Sequence, residues 1–140
     1  HMKMSASSRH SPHHRYHPLV IFSAPIIFMI LSFTTPLNPI YISIIALMFG
    51  GVATWYCRPD LKKKMITSAF LFFGLYFFYF LILIAISPGY VEKVWNLKDI
   101  SGALIAGVPL EELIFAFSFG FFWSSIYEHI TWQRIRNLRN

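Results

Sequence analysis

The sequence predicts an all-α fold, a polytopic membrane helical bundle of about four transmembrane helices. Three observations carry this. First, the 140 residues are 56% hydrophobic and 13% charged, with a positive mean hydropathy. A soluble domain of this length cannot hide so much apolar surface in one core, and lipid can take it up instead. Second, the apolar residues fall into four runs separated by short polar or turn-forming segments. Third, the charges flank those runs. Despite a net charge of +6, this placement reads as a topology signal and not as a nucleic-acid surface.

Residues 1–17 are basic and rich in Ser and His, and predict a disordered leader that faces lipid headgroups. Within it His1-Met2 reads as a cloning scar, with the native start at Met2 or Met4. The single transmembrane domain is expected over residues 18–130. Its first run, Pro18 to Phe33, contains Pro25 and is short for a span of about 20 residues. The turn Thr34–Pro39 holds two helix-breaking prolines. The second run, Ile40 to Tyr56, carries Gly50-Gly51 and ends in Trp55-Tyr56, an interfacial pair. A basic loop, Cys57 to Lys64, precedes the clearest run, Met65 to Ser87. A polar connector, Pro88 to Gly102, places Tyr90 and Trp95 at interface depth. The fourth run extends from about Ala103 to Tyr127, and residues 131–140 form a basic tail. The single Cys57 cannot form an intrachain disulfide, and no cysteine spacing predicts a metal site.

Ten of the twelve Lys and Arg residues lie in the leader, the Arg58–Lys64 loop and the tail. Only Lys93 and Lys98 lie on the other side. The positive-inside rule then predicts a multi-pass protein of the cell membrane with both ends in the cytoplasm. A re-entrant hairpin formed by the first two runs is an alternative that leaves both ends on the same side.

The chemistry points to GVPLEELIFAFSFGFFWSSIYEH, Gly107 to His129. A helix starting at Ala103 puts Glu111 and Glu112 roughly 12–14 Å inside the boundary, near the middle of a ~30 Å slab. Acidic groups there cost at least about 2.5–3.5 kcal/mol each on insertion scales, so they face a protein interior and have a task. A plainer role is to bond across helices, which a glutamine or asparagine does at lower cost. Pro109 predicts a kink just before the pair, and Gly102 and Gly107 allow a neighbouring backbone to approach. Phe115 and Phe119 continue the Glu111 face at helical spacing, and Phe115 with Trp123 borders Glu112. Tyr76 belongs to an aromatic cluster in the third run. Most such rings face lipid, but a cavity walled by some of them would stabilise cations through their π faces. Glu128 falls 17 residues after Glu111, nearly a whole number of turns, and with His129 reads as an anchor for the helix end.

Burial favours the neutral carboxylic acid, and an adjacent carboxyl makes ionising both costlier. The apolar group in a membrane that can accept such a proton is an electron-rich alkene. Protonation gives a tertiary carbocation, which aromatic walls stabilise and from which water must be kept. This is cation–olefin cyclisation. It needs no redox cofactor, and no G-x-G-x-x-G or P-loop pattern occurs.

Trp95, Gly102, GVPLEELIF and the following WSSIYEH resemble the lycopene cyclase domain family, the small heterodimeric or fused carotenoid cyclases marked by a P-x-E-E/D motif. Pro109, Glu111 and Glu112 match that motif, and the resemblance covers residues 88–130, with the remainder similar only in hydropathy. It implies cyclisation of the acyclic ends of lycopene or a longer carotenoid, with Glu111 and Glu112 as the acid and its partner and with no cofactor. The expected substrate walls are Pro109, Phe115, Phe119, Trp123 and Tyr76. Complete enzymes of the family usually hold two such domains, and this chain has one motif copy. A homodimer, or a heterodimer with a sister subunit, is therefore expected, through the Gly-containing faces of the second and fourth helices, unless the chain has moved to another isoprenoid activity. The rival readings are half of a proton-coupled transporter, against which the charge bias argues, and a pigment-binding membrane subunit without turnover.

Overall fold

A computed structural model describes residues 17–131. The leader up to Tyr16 and the tail from Trp132 lie outside the described residues. Helix α1 (His17–Thr34) is followed by α2 (Pro39–Cys57), α3 (Lys62–Ile86), a short α4 (Tyr90–Val94), strands β1 (Leu104–Ile105) and β2 (Val108–Pro109), then α5 (Leu110–Trp123) and α6 (Ile126–Thr131). The first three helices follow the expected apolar runs to within three residues. Two helical stretches, Pro39–Cys57 and Pro59–Ile86, are long and apolar enough to cross a membrane, and Leu19–Thr34 is a shorter apolar helix.

The turn chemistry fixes these boundaries. Thr34 and Thr35 donate their hydroxyls to the Ile30 and Leu31 carbonyls, both at 2.8 Å, and close α1. Asn38 caps α2, its side-chain oxygen accepting from Ile40 N–H at 3.1 Å, with Pro39 in the first helical position where no donor is lost.

The fourth helix starts later than expected. Residues 103–109 form a two-stranded antiparallel hairpin, Leu104 opposite Pro109 and Ile105 opposite Val108. Its two-residue turn, Ala106-Gly107, has φ of 50° and 83°, the left-handed pair that a tight hairpin requires. Pro109 therefore does not kink a helix; it stands at the N-cap of α5 with φ −57° and ψ 133°. The hairpin and α4 fold back along α3. Val91 and Val108 pack with Phe80 and Leu113 in one buried cluster.

Close approaches set the helix order. Gly50 lies against Phe122 and Ala24, Gly51 against Phe121, and Gly120 against Ser68, Ala69 and Phe72. Helices α2 and α5 thus run parallel, with α3 antiparallel to α5. The small residues expected to face a second subunit are filled by this chain's own rings and backbone.

At the other end α5 stops at Ser124-Ser125, and α6 begins a separate turn. The face shared by Glu111 and Glu128 on an uninterrupted helix does not persist. Instead Lys64 pairs with buried Glu128, Arg58 pairs with Asp60 at 2.7 Å, and Lys62 lies over the Trp55 ring at 5.0 Å. His129, 1% exposed, bonds the Ser125 carbonyl through Nδ1 at 2.9 Å. This ties the basic loop to the end of the bundle.

These contacts set a contrast in stability between two glycines. A Cβ at Gly120 would stand 2.7 Å from the Ser68 carbonyl oxygen, whereas one at Gly74 would meet nothing. Gly120→Ala is expected to destabilise by about 1–3 kcal/mol, and Gly74→Ala to be neutral or to gain up to about 1 kcal/mol. Thermal unfolding in mild detergent checks the contrast, and equal effects at the two sites would contradict the packing.

Candidate active site

The hairpin puts Glu111 and Glu112 in the first turn of α5, where the positive end of the helix dipole favours acidic groups. Both are buried, at 3% and 8% exposure. Their burial comes from neighbouring elements of the fold. Glu112 bonds Tyr76, ten residues before the end of α3, roughly 15 Å along its axis. Glu111 bonds Tyr41, the third residue of α2, so the pair lies near the α1–α2 turn.

Four donors converge on the two carboxyls. Glu111 Oε1 accepts from the Tyr41 hydroxyl and from the Ser101 backbone N–H, both at 2.8 Å. Its Oε2 is buried with no hydrogen-bond partner among the described residues. Glu112 Oε1 accepts from the Trp95 indole N–H at 2.9 Å, and its Oε2 bonds the Tyr76 hydroxyl at 2.8 Å. A cavity of about 240 Å³ opens beside both glutamates, lined by Ile40, Val94, Trp95 and Ile100, with Asn38 and Asn96 among its polar groups. Asn38 also reaches across to the Asp99 carbonyl at 3.4 Å, joining the α1–α2 turn to the connector.

This arrangement suits acid chemistry. A buried carboxyl oxygen without a partner is costly, and Glu111 Oε2 is the one oxygen of the pair with no hydrogen bond among the described residues. Glu112, with both oxygens engaged, is held in one orientation.

The expected site residues divide into two groups. Glu111, Glu112 and Tyr76 come together, and Pro109 is buried at the head of α5. Phe115, Phe119 and Trp123 do not line the cavity. They form a stacked row along α5, with centroids 6.1 Å and 5.4 Å apart. Phe119 also packs on Phe72 of α3 at 5.2 Å, so the row follows the face of Glu112 and not that of Glu111. Trp123 is 60% exposed. With Phe119 it borders a second, apolar groove between α3 and α5. Three donors were missing from the expectation. Trp95 reads in sequence as an interface residue, Tyr41 lies unmarked in an apolar run, and Ser101 acts through its backbone.

The model of the lycopene cyclase family matches residues 38–130, more than half of the chain. The chain belongs to the lycopene cyclase family. No curated protein and no solved structure matches it. The matched stretch begins at the Asn38 cap and ends in α6, so it contains both glutamates and all four of their donors. It leaves out α1. Membership in the lycopene cyclase family supports a carotenoid cyclase-type role for this site.

Proposed function

We propose that this chain is a membrane-embedded carotenoid cyclase subunit that starts ring closure by proton donation from Glu111, without net redox change and without a cofactor. The observation that carries the reading is the unpartnered, buried Oε2 of Glu111 beside a cavity in a lycopene cyclase family chain. The substrate is an acyclic carotenoid end, an electron-rich alkene carried in the lipid. Protonation there generates a tertiary cation, which the neighbouring double bond captures to form the ring. The carboxylate left behind on Glu111 balances the charge.

A cavity of about 240 Å³ is smaller than the roughly 300–1,000 Å³ of ordinary ligand sites. A second copy or a sister subunit is therefore part of the proposal, to complete the wall around the end group. With the small-residue faces occupied inside the chain, the contact falls on apolar surface such as Leu104, Ile105 and Ile114, each at least 39% exposed. Phe119 and Trp123 belong to this reading as a seat for the polyene along the α3–α5 groove.

Four crossings follow from the alternation of α1, α2, α3 and α5. Helix α5 is 14 residues long, roughly 21 Å, and the folded-back connector with α6 makes up the rest of the thickness. The basic loop and both ends are cytoplasmic in this reading.

Two experiments test it. In a host that accumulates lycopene, supplied with any candidate sister subunit, the wild-type chain is expected to form ring-bearing product. Glu111→Gln keeps size and hydrogen bonding but has no transferable proton. Its product yield should fall by about 10²–10⁴-fold at unchanged membrane levels, with a smaller fall for Glu112→Gln. Wild-type protein that leaves lycopene red defeats the reading. For topology, reporters at Lys63 and after Asn140 are expected to read cytoplasmic and one at Lys93 external. A cytoplasmic signal at Lys93 removes the four-crossing arrangement.

A further inference from the structure

The cavity beside the glutamates measures about 240 Å³, room for the reacting end of a carotenoid and little else. The rest of the same molecule has to lie along the protein. The cavity's polar side chains, Asn38 and Asn96, offer no bed for it, since a polyene laid against water loses the gain of apolar burial. The groove between α3 and α5 offers one. It also measures about 240 Å³, with Leu71, Phe72 and Leu75 on one side and Phe119, Gly120 and Trp123 on the other. The two sites share a wall. The Tyr76 hydroxyl bonds Glu112, while its ring stacks on Phe72 with centroids 6.1 Å apart and planes at 21°. Phe72 packs on Phe119 at 5.2 Å, and Phe119 stacks on Trp123 at 5.4 Å with planes at 12°. A continuous row of rings therefore joins the acid pair to the groove, and flat π surfaces suit a flat conjugated chain.

Both helices carry the groove away from the glutamates. Ser68, at its far end, lies eight residues before Tyr76, roughly 12 Å along α3. Ser124 lies twelve residues after Glu112, roughly 18 Å at helical rise. The groove is open on its outer side, where Leu71, Leu75 and Trp123 are each at least 60% exposed.

We propose that this groove seats the polyene of a substrate whose reacting end lies at Glu111, and that the chain closes one ring per encounter and releases a one-ringed carotenoid. This rests on the cyclase reading above and deepens it. A conjugated chain is stiff and longer than the groove, so its other end lies past Ser68 and Ser124, in lipid and away from the acid pair. That end touches no part of the site. An acyclic end, a ring or a hydroxylated end is admitted there alike, so the substrate class is any carotenoid with one acyclic end. To receive a second ring the molecule must leave, turn end for end and enter again. A second copy of the chain does not shorten this route. With its ends on the same side of the membrane, its glutamates lie at the same level as these.

Two measurements on the full chain in phosphatidylcholine nanodiscs test the proposal. Lycopene is achiral, and when held against the rings of the groove it is expected to acquire circular dichroism in its visible band, absent from empty nanodiscs. Leu71→Trp, at an exposed position more than a turn from Tyr76, fills the groove and is expected to abolish that signal. It should also raise KM for lycopene about tenfold or more, the scale of an altered apolar contact, with kcat little changed. Leu75→Trp replaces it if that variant fails to accumulate. No signal in the wild type, a signal that survives in the variant, or a fall confined to kcat overturns the seat. In the second measurement labelled lycopene is supplied in large excess over protein. Free one-ringed product is expected first, with two-ringed product only after a lag, and added unlabelled one-ringed carotenoid should divert the second closure onto itself. Labelled two-ringed product that forms without a lag, unaffected by that addition, overturns release between closures. If the wild-type chain shows the dichroism but closes no ring, the cyclase reading fails while the polyene seat stands.

Discussion

Two adjacent carboxyl groups out of water require donors, and an α-helix alone cannot supply enough of them. The donors at this site come from three other places: Tyr41 at the head of α2, Tyr76 in α3, and Trp95 and the Ser101 N–H in the connector. Each is a separate demand on the fold. The α1–α2 turn must reach the level of Glu111, α3 must present Tyr76 from its middle, and the connector must return along α3 instead of leaving into solvent. The first-turn position of the pair adds the helix dipole to these bonds. In one sense the connector and the facing ends of α2 and α3 are a solvation shell for the pair.

That shell is uneven. Symmetric solvation would leave two similar carboxyls sharing one charge. Here one carboxyl has its two donors divided between its oxygens, and the other has both on a single oxygen. Different environments for a pair of titratable groups are what assign acid and base roles in known catalysts.

The first three helices were legible because a run of apolar residues bounded by Pro, Asn and Lys leaves little freedom in where a helix begins. Glu111 and Glu112 were legible as a site for a similar reason: charge in an apolar run has a large energetic cost. The hairpin was not. Ala103-Leu104-Ile105-Ala106-Gly107-Val108 continues the apolar run and carries no polar alternation. Ala106 gives no sign that it adopts a positive φ. Gly107 and Pro109 were present as signals, but a glycine before a proline fits a kinked helix as well as a turn. Sequence alone also credited the aromatic row of α5 to the cavity. Helical spacing places Phe115 and Phe119 within reach of either glutamate's face, and only the packing on Phe72 shows which face it is.

The late start of α5 follows from the chemistry of the site as much as from its turn residues. A helix continuing upward from Leu110 to Ala103 would satisfy its own backbone and nothing else. Ser101 would be carried away from Glu111, and Trp95 further still. Breaking the helix at Pro109 instead turns the chain through Ala106-Gly107 and brings Ser101 back to Oε1 at 2.8 Å. Non-helical backbone at depth is tolerated where protein buries it or a cavity receives it. Val108 and Pro109 are buried, the Leu110 N–H bonds the Ala103 carbonyl at 2.9 Å, and the remaining side of the connector faces the cavity. A shorter helix is thus the condition for bringing all four donors to the two buried carboxyls.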